Sequence, residues 1–217
     1  FMNSNDPRME LAARYLIAAY GAMTNLMFDV SSMHGALALP LKARMLLSPA
    51  FESEVSQDSE LAPGMRVIDL LSVRYVSVWE KADIPAFKLA YEDKITPVKF
   101  MENTAARPRF QTFTRAVLVA SVEDAVALIN KPREDALIVE TDTPLPEGFT
   151  GQSVNNTAAI SFTVRNASST YYEIDVDARQ SGWLFLADAN YPGWKAKIDG
   201  APATVYSAQV LGKAVTI

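Results

Sequence analysis

The sequence predicts an α+β fold, with a mixed α/β domain over residues 1–148 and an antiparallel β-sandwich domain over residues 149–217 that can recruit strands from residues 97–119. Three observations lead there. In the first part apolar residues recur at helical spacing, at Leu11, Tyr15, Ala18, Ala19, Ala22 and Leu26. From Ala158 onward they alternate: Ile160, Phe162 and Val164 interleave with Ser161, Thr163 and Arg165, then Tyr172, Ile174 and Val176 with Glu173, Asp175 and Asp177. Such period-two runs, separated by turns, are the pattern of a sandwich. Between the two parts, Pro144, Pro146 and Gly148 have the composition of a linker.

Each element follows from a local signal. Asp6-Pro7 starts a helix, since Asp accepts from free N–H groups and Pro fits the first turn; the apolar spacing carries it to Thr24 or Met27. Residues 29–35 are a loop. A second helix over Pro40–Leu47 stops at Ser48-Pro49, because the residue before proline is driven out of the helical region. Residues 51–64 are an acidic loop. Met65–Leu71 is a short helix leading into a β-branched strand over Val73–Val78. Phe87–Glu92 and Pro97–Met101 form a strand pair around Asp93-Lys94, and Phe110–Val119 is a further strand region. Ser121-Val-Glu-Asp124 opens a helix in the manner of a capping box, with Asp in place of Glu. That helix runs to Asn130, before Pro132, and a strand follows over Ala136–Glu140.

Composition narrows the function. With 20 Lys and Arg against 25 Asp and Glu the net charge is −5, and no basic cluster is present to displace counterions from a polyanion, so no nucleic-acid partner is expected. The absence of cysteine removes disulfides, thiolate catalysis and zinc-ribbon chemistry. No apolar run approaches the ~20 residues that span a bilayer.

Trp183–Gly200 reads as strand, tight turn, strand. Trp183, Phe185 and Ala187 alternate with Leu184, Leu186 and Asp188, giving a first strand buried on both faces. Asn190, Pro192 and Gly193 supply the turn, and Trp194, Ala196 and Ile198 form the dry face of a second strand whose wet face is Lys195 and Lys197. Asp199-Gly200 suits a two-residue hairpin. This run, with Ala203–Tyr206 and Lys213–Ile217, resembles the C-terminal extracytoplasmic segment of YfhO-type bacterial membrane proteins, which carry a strand, YPGW, K-x-x-x-DG, strand signature. Leu70–Val76 resembles the same family's LLGVRYV strand, and Glu102-Asn103 with Arg107-Pro-Arg109 its EN…PR element. The resemblance implies a domain of a polytopic membrane protein related to lipid-linked-sugar glycosyltransferases. The acidic catalytic residue of such enzymes belongs to an early loop absent from this chain, so it implies no catalytic residue here. It also implies a further turn and strand beyond Ile217, and hence an uncovered sheet edge near the C-terminus.

Four residues are candidate glycan or ligand contacts: Tyr191 and Trp194, whose rings could stack on a sugar, and Arg107 and Arg109, whose guanidinium groups could clamp phosphate or carboxylate. Against this, Trp183 and Trp194 fall on inward strand positions, where large aromatics serve as core. The arginines, with Arg74, have Glu102 and Asp69 as salt-bridge partners. Asp175 and Asp177 project from one strand face, as a carboxylate pair would. Glu173 shares the row, and Arg165 and Arg179 could neutralise it. His34 is the one histidine, next to Ser31 and Ser32 in a loop, with no nucleophile-elbow motif in the chain. The expectation is a soluble, non-catalytic extracytoplasmic domain at a bacterial membrane, without metal or cofactor, whose partners are the transmembrane part of its parent and a glycan or lipid-linked sugar. Its role is to assist sugar transfer or bind glycan in the cell envelope. The alternatives are a stand-alone hydrolase using Asp175, Asp177 or His34, and a pure interaction module.

Overall fold

The computed structural model describes residues 63–79, 87–92, 98–131, 135–141, 145, 160–168 and 170–217. The helices expected over Asp6–Met27 and Pro40–Leu47, the loop holding His34, most of the acidic loop and most of the linker lie outside them. The described part is predominantly β. The chain divides into two compact units, one of residues 1–59 and 73–106, the other of residues 60–72 and 107–217.

The described strands of the first unit form an antiparallel sheet in the order β1 (Tyr75–Trp79), β3 (Val98–Glu102), β2 (Lys88–Glu92). The register slips between Leu89 and Tyr91, a bulge that brings Tyr91 opposite Phe100, their rings 6.1 Å apart. Asn103 ends the centre strand. Its amide donates to the Val73 carbonyl at 3.0 Å and its side-chain oxygen accepts from Ala105 N–H, which explains a fully buried asparagine.

In the second unit a one-turn helix, α1 (Val67–Leu70), is clamped by a buried, two-pronged Arg66–Asp69 ion pair at 2.8 and 2.9 Å. Gln111 reaches the Leu70 carbonyl and Arg107 N–H the Asp69 carbonyl, both at 2.9 Å. The sheet that follows runs β4 (Phe110–Phe113), β9 (Trp183–Leu186), β13 (Gly212–Thr216), β12 (Tyr206–Ala208), β6 (Leu137–Glu140), β5 (Ala116–Val119). All neighbours are antiparallel except β5 and β6, whose parallel pairing is spanned by α2 (Val122–Ile129). Ser121 caps that helix by accepting from Asp124 N–H at 3.1 Å and donating to its carboxylate. Strands from both sides of residues 144–148 thus share one sheet. β7 (Ile160–Ala167) and β8 (Tyr172–Ala178) pair as a separate ribbon, and β10 (Ala196–Ile198) and β11 (Ala201–Ala203) as a small hairpin.

The two faces of the six-stranded sheet differ. On one, Trp183 meets Tyr206 and Phe113 meets Phe185 edge-on, 5.3 and 6.2 Å between centroids, with Leu137, Val139, Ala208 and Ala214. Gly212 sits here because a Cβ would enter the Phe185 ring. On the other face, Phe110 packs against Phe162 and Tyr172 of the ribbon.

The structure changes the reading of three stretches. Residues 183–198 are not one hairpin: β9, buried on both faces as expected, pairs with β4 and β13, whereas β10 pairs only with β11. Two neighbouring alternating runs carry no information about which strand each will join. The Asp199-Gly200 turn is as expected, with φ of 50° and 82° between Ile198 and Ala201, yet both faces of β10 are largely exposed and Ile198 is not core. The C-terminal strand is interior, covered by β9 and β12, and Ile217 exchanges two backbone hydrogen bonds with Gly182.

Candidate functional site

Directly paired residues of neighbouring strands share a face. Register therefore lays out one row across the second face: Phe110, Leu186, Lys213, Ser207, Glu140 and Val119. Three polar residues from three adjacent strands stand in its middle.

At the Lys213 end the charged groups, Lys213, Asp188 and Arg109, are all partnered. Lys213 is buried, and Nζ donates to Asp188 Oδ2 at 3.0 Å and to the Asp188 and Ala189 carbonyls at 3.3 and 2.9 Å. These acceptors converge because the chain after β9 turns twice. Asp188 N–H bonds the Leu186 carbonyl and Tyr191 N–H that of Ala189, γ-turns about Ala187 and Asn190. Nζ also lies 3.9 Å from the centroid of the Trp194 ring, and Trp194 stacks on Tyr172 at 5.7 Å with 18° between planes. Arg109 donates to the Tyr172 hydroxyl at 2.9 Å and pairs with Asp188 at 3.6 Å. Asn190 Nδ2 donates to Ser207 Oγ at 2.9 Å. Burial lowers the Lys213 pKa, with Arg109 adding to the effect and the Asp188 contacts opposing it; burial, then the Asp188 charge, raises that of Tyr172. With three protons directed at three acceptors, the ammonium cross-links β13 to the segment that follows β9.

At the Glu140 end this completeness is missing. One carboxyl oxygen is buried without a hydrogen-bond partner among the described residues, while Val210 N–H bonds the group. Burial, and next to it the Glu123 charge, push the carboxyl up to about 7 against the Val210 bond. Gln209, fully buried, has partners for neither its side-chain oxygen nor its nitrogen among the described residues. Gln209 and Val210 adopt φ of 50° and 69°, and Leu211 N–H closes on the Gln209 carbonyl at 2.8 Å, the rare strained γ-turn.

Of the four candidate contacts, the structure brings three to the Lys213 end. Tyr191 is exposed at its rim, Arg109 is half-exposed within it, and Trp194 is half-buried between core and surface, not the core residue its alternation suggested. Arg107 is elsewhere: Nε donates to the Gly64 carbonyl at 2.7 Å and Nη1 to Asp135 at 2.8 Å. Its salt bridge is thus neither to Glu102 nor to Asp69; Arg74 takes Glu102 and Arg66 takes Asp69. Asp175 and Asp177 are exposed on the ribbon, where Arg165 pairs with Asp175 and Asn166 with Glu173. Among the described residues no three His, Asp or Glu side chains gather as metal ligands would.

Lys213, Asp188, Ser207, Glu140 and Gln209 escaped sequence reading. Two signals were present: a lysine inside the apolar run 211–217 and a glutamate ending the apolar strand Leu137–Glu140. In comparisons with known proteins, no family model, no curated protein and no solved structure matches the chain.

Proposed function

We propose that this chain is an extracytoplasmic domain of a polytopic bacterial membrane protein of the YfhO type, assisting lipid-linked sugar transfer or glycan binding in the cell envelope without catalysing it. The observation that carries the reading is the meeting of signature residues distant in sequence. Trp194 of YPGW and the C-terminal Lys213 form one cation–ring contact, and Arg109 of the EN…PR element joins them through Asp188. A signature that builds one local structure is more specific than its separate short motifs. The exposed ring of Tyr191 and the half-exposed guanidinium of Arg109 offer a glycan a stacking surface and a fork of donors. The six-stranded sheet with the β7–β8 ribbon laid on Phe110 is read as a small sandwich. No helix among the described residues is long and apolar enough to cross a membrane, and anchoring is assigned to the transmembrane part of the parent.

Titrating the protein with envelope oligosaccharides while following its amide and indole NMR signals tests the glycan reading. Shifts at Tyr191, Trp194 and Arg109, saturating with a Kd on the millimolar scale, are expected. Shifts elsewhere, or none, overturn it. A parent reading frame without apolar spans of ~20 residues overturns the membrane reading.

A further inference from the structure

The β12–β13 turn joins two features that the proposed function does not use: a half-buried carboxyl group with one buried oxygen, and two left-handed residues that are not glycine. Val at a positive φ is unusual, because its branched side chain crowds the backbone. The Val210 amide is spent on Glu140, the Gln209 amide donates to Ile138, and the Leu211 carbonyl accepts from Asn190 N–H at 3.0 Å. The turn is therefore held from two sides, by the end of β6 and by the segment that carries Tyr191 and Trp194.

We infer that Glu140 is a protonation latch on this turn: uncharged, it lies in the sheet and holds Val210 N–H; ionised, it leaves the sheet face for water and the strained turn opens. Burial, with the Glu123 charge adding to it, favours the uncharged form and outweighs the Val210 N–H bond, which on its own favours the charged one. Among the described residues, α2 packs against β5 and β6 and brings Glu123, with Asp124 beside it in sequence; β5 and the turn carry no charge. β12 contributes Ser207 in the row and Tyr206 on the opposite face. Lys213 lies two strands away in the same row with its protons committed to Asp188 and Ala189. An ionised Glu140 would thus keep one buried oxygen unpaired beside a like charge, with a pKa of about 7. The turn is the part most able to yield, since opening it relieves two unfavourable φ angles and lets water reach the Gln209 amide.

Amide NMR of the full chain from about pH 5 to about pH 9, with hydrogen exchange at Leu211, tests it. The Val210 signal should move with one midpoint near 7, and exchange at Leu211 should rise about tenfold across it. Glu140→Gln should hold the low-pH spectrum at every pH. Glu123→Gln, at an exposed position in the first turn of α2, should lower the midpoint. A Val210 signal that does not titrate, a titration that persists in Glu140→Gln, or a midpoint unmoved by Glu123→Gln overturns the latch.

Discussion

Lys213 and Glu140 occupy the same row of the same sheet face, two strands apart, and are built oppositely. Around Lys213 the backbone is bent by two γ-turns until three oxygens meet one ammonium, and an aromatic ring covers it. Around Glu140 a buried oxygen and a buried amide lack partners among the described residues, beside a backbone with two positive φ angles. A buried charge is tolerated where the chain has been folded to meet it; where it is not met, the group gives up its charge instead. One end of the row therefore keeps its charge met by fixed partners, while at the other burial pushes the carboxyl up to about 7.

The largest test breaks the rigid end. Lys213→Met keeps the stem and removes the charge, leaving Asp188 and two carbonyls without their common donor, and should cost about 3–5 kcal/mol in urea unfolding. A loss under about 1 kcal/mol would mean that the cluster does not brace the fold. Next, Trp183→Ala and Trp194→Ala separate core from rim. Trp183 is fully buried, and its truncation should cost about 3–5 kcal/mol. Trp194, half-buried but stacked on Tyr172 and under Lys213, should cost about 2 kcal/mol. Equal losses would return Trp194 to the core; no loss at Trp194 would leave it free for a sugar ring.

The contrast also explains what was legible from residues alone. Period-two runs marked β7, β8 and β9, and Ser121 and Asp199-Gly200 marked a cap and a turn, because each depends on neighbours a few residues away. The row was not legible. Glu140 and Lys213 are brought together only by the register of β6 on β12 and of β12 on β13, which no local pattern encodes. Lys213 looked like one polar member of an alternating strand, a solvent-facing position by default. Its true surroundings come from residues 188–194, whose turns have the composition of a hairpin loop although β9 and β10 do not pair. Arg109 and Trp194 stood out as residues, but the acid between them did not.

A smaller test sharpens the titrating end. Unfolded, Glu140 ionises near 4.5; folded, it keeps its proton to about 7. Between those values the folded chain holds the extra proton, so rising pH favours unfolding. The contribution is fully present below 4.5 and is lost as pH climbs to 7. Water reaching this partly accessible group screens the effect, leaving on the order of 1 kcal/mol. Urea midpoints of the parent and of Glu140→Gln at about pH 5 and about pH 8 should differ in slope, with the variant flatter by that amount.

The smallest expected effect concerns the turn's backbone. If Gln209 and Val210 are strained because left-handed φ crowds their Cβ atoms, then Val210→Gly relieves the crowding and retains the N–H that Glu140 accepts. Glycine also gives the unfolded chain more freedom to lose, which opposes the gain, and the Val210 side chain is itself buried. Relief of a branched side chain at φ 69° is worth about 1–2 kcal/mol, while the entropy and the lost apolar contact take back a similar amount. The variant should therefore sit within about 0.5 kcal/mol of the parent, unlike the loss of more than 1 kcal/mol expected for deleting a buried valine side chain elsewhere in the sheet. Val139, buried in neighbouring β6 without a positive φ, is the control. If Val210→Gly and Val139→Gly destabilise equally, the turn stores no strain, and its opening must be driven by the Glu140 charge alone.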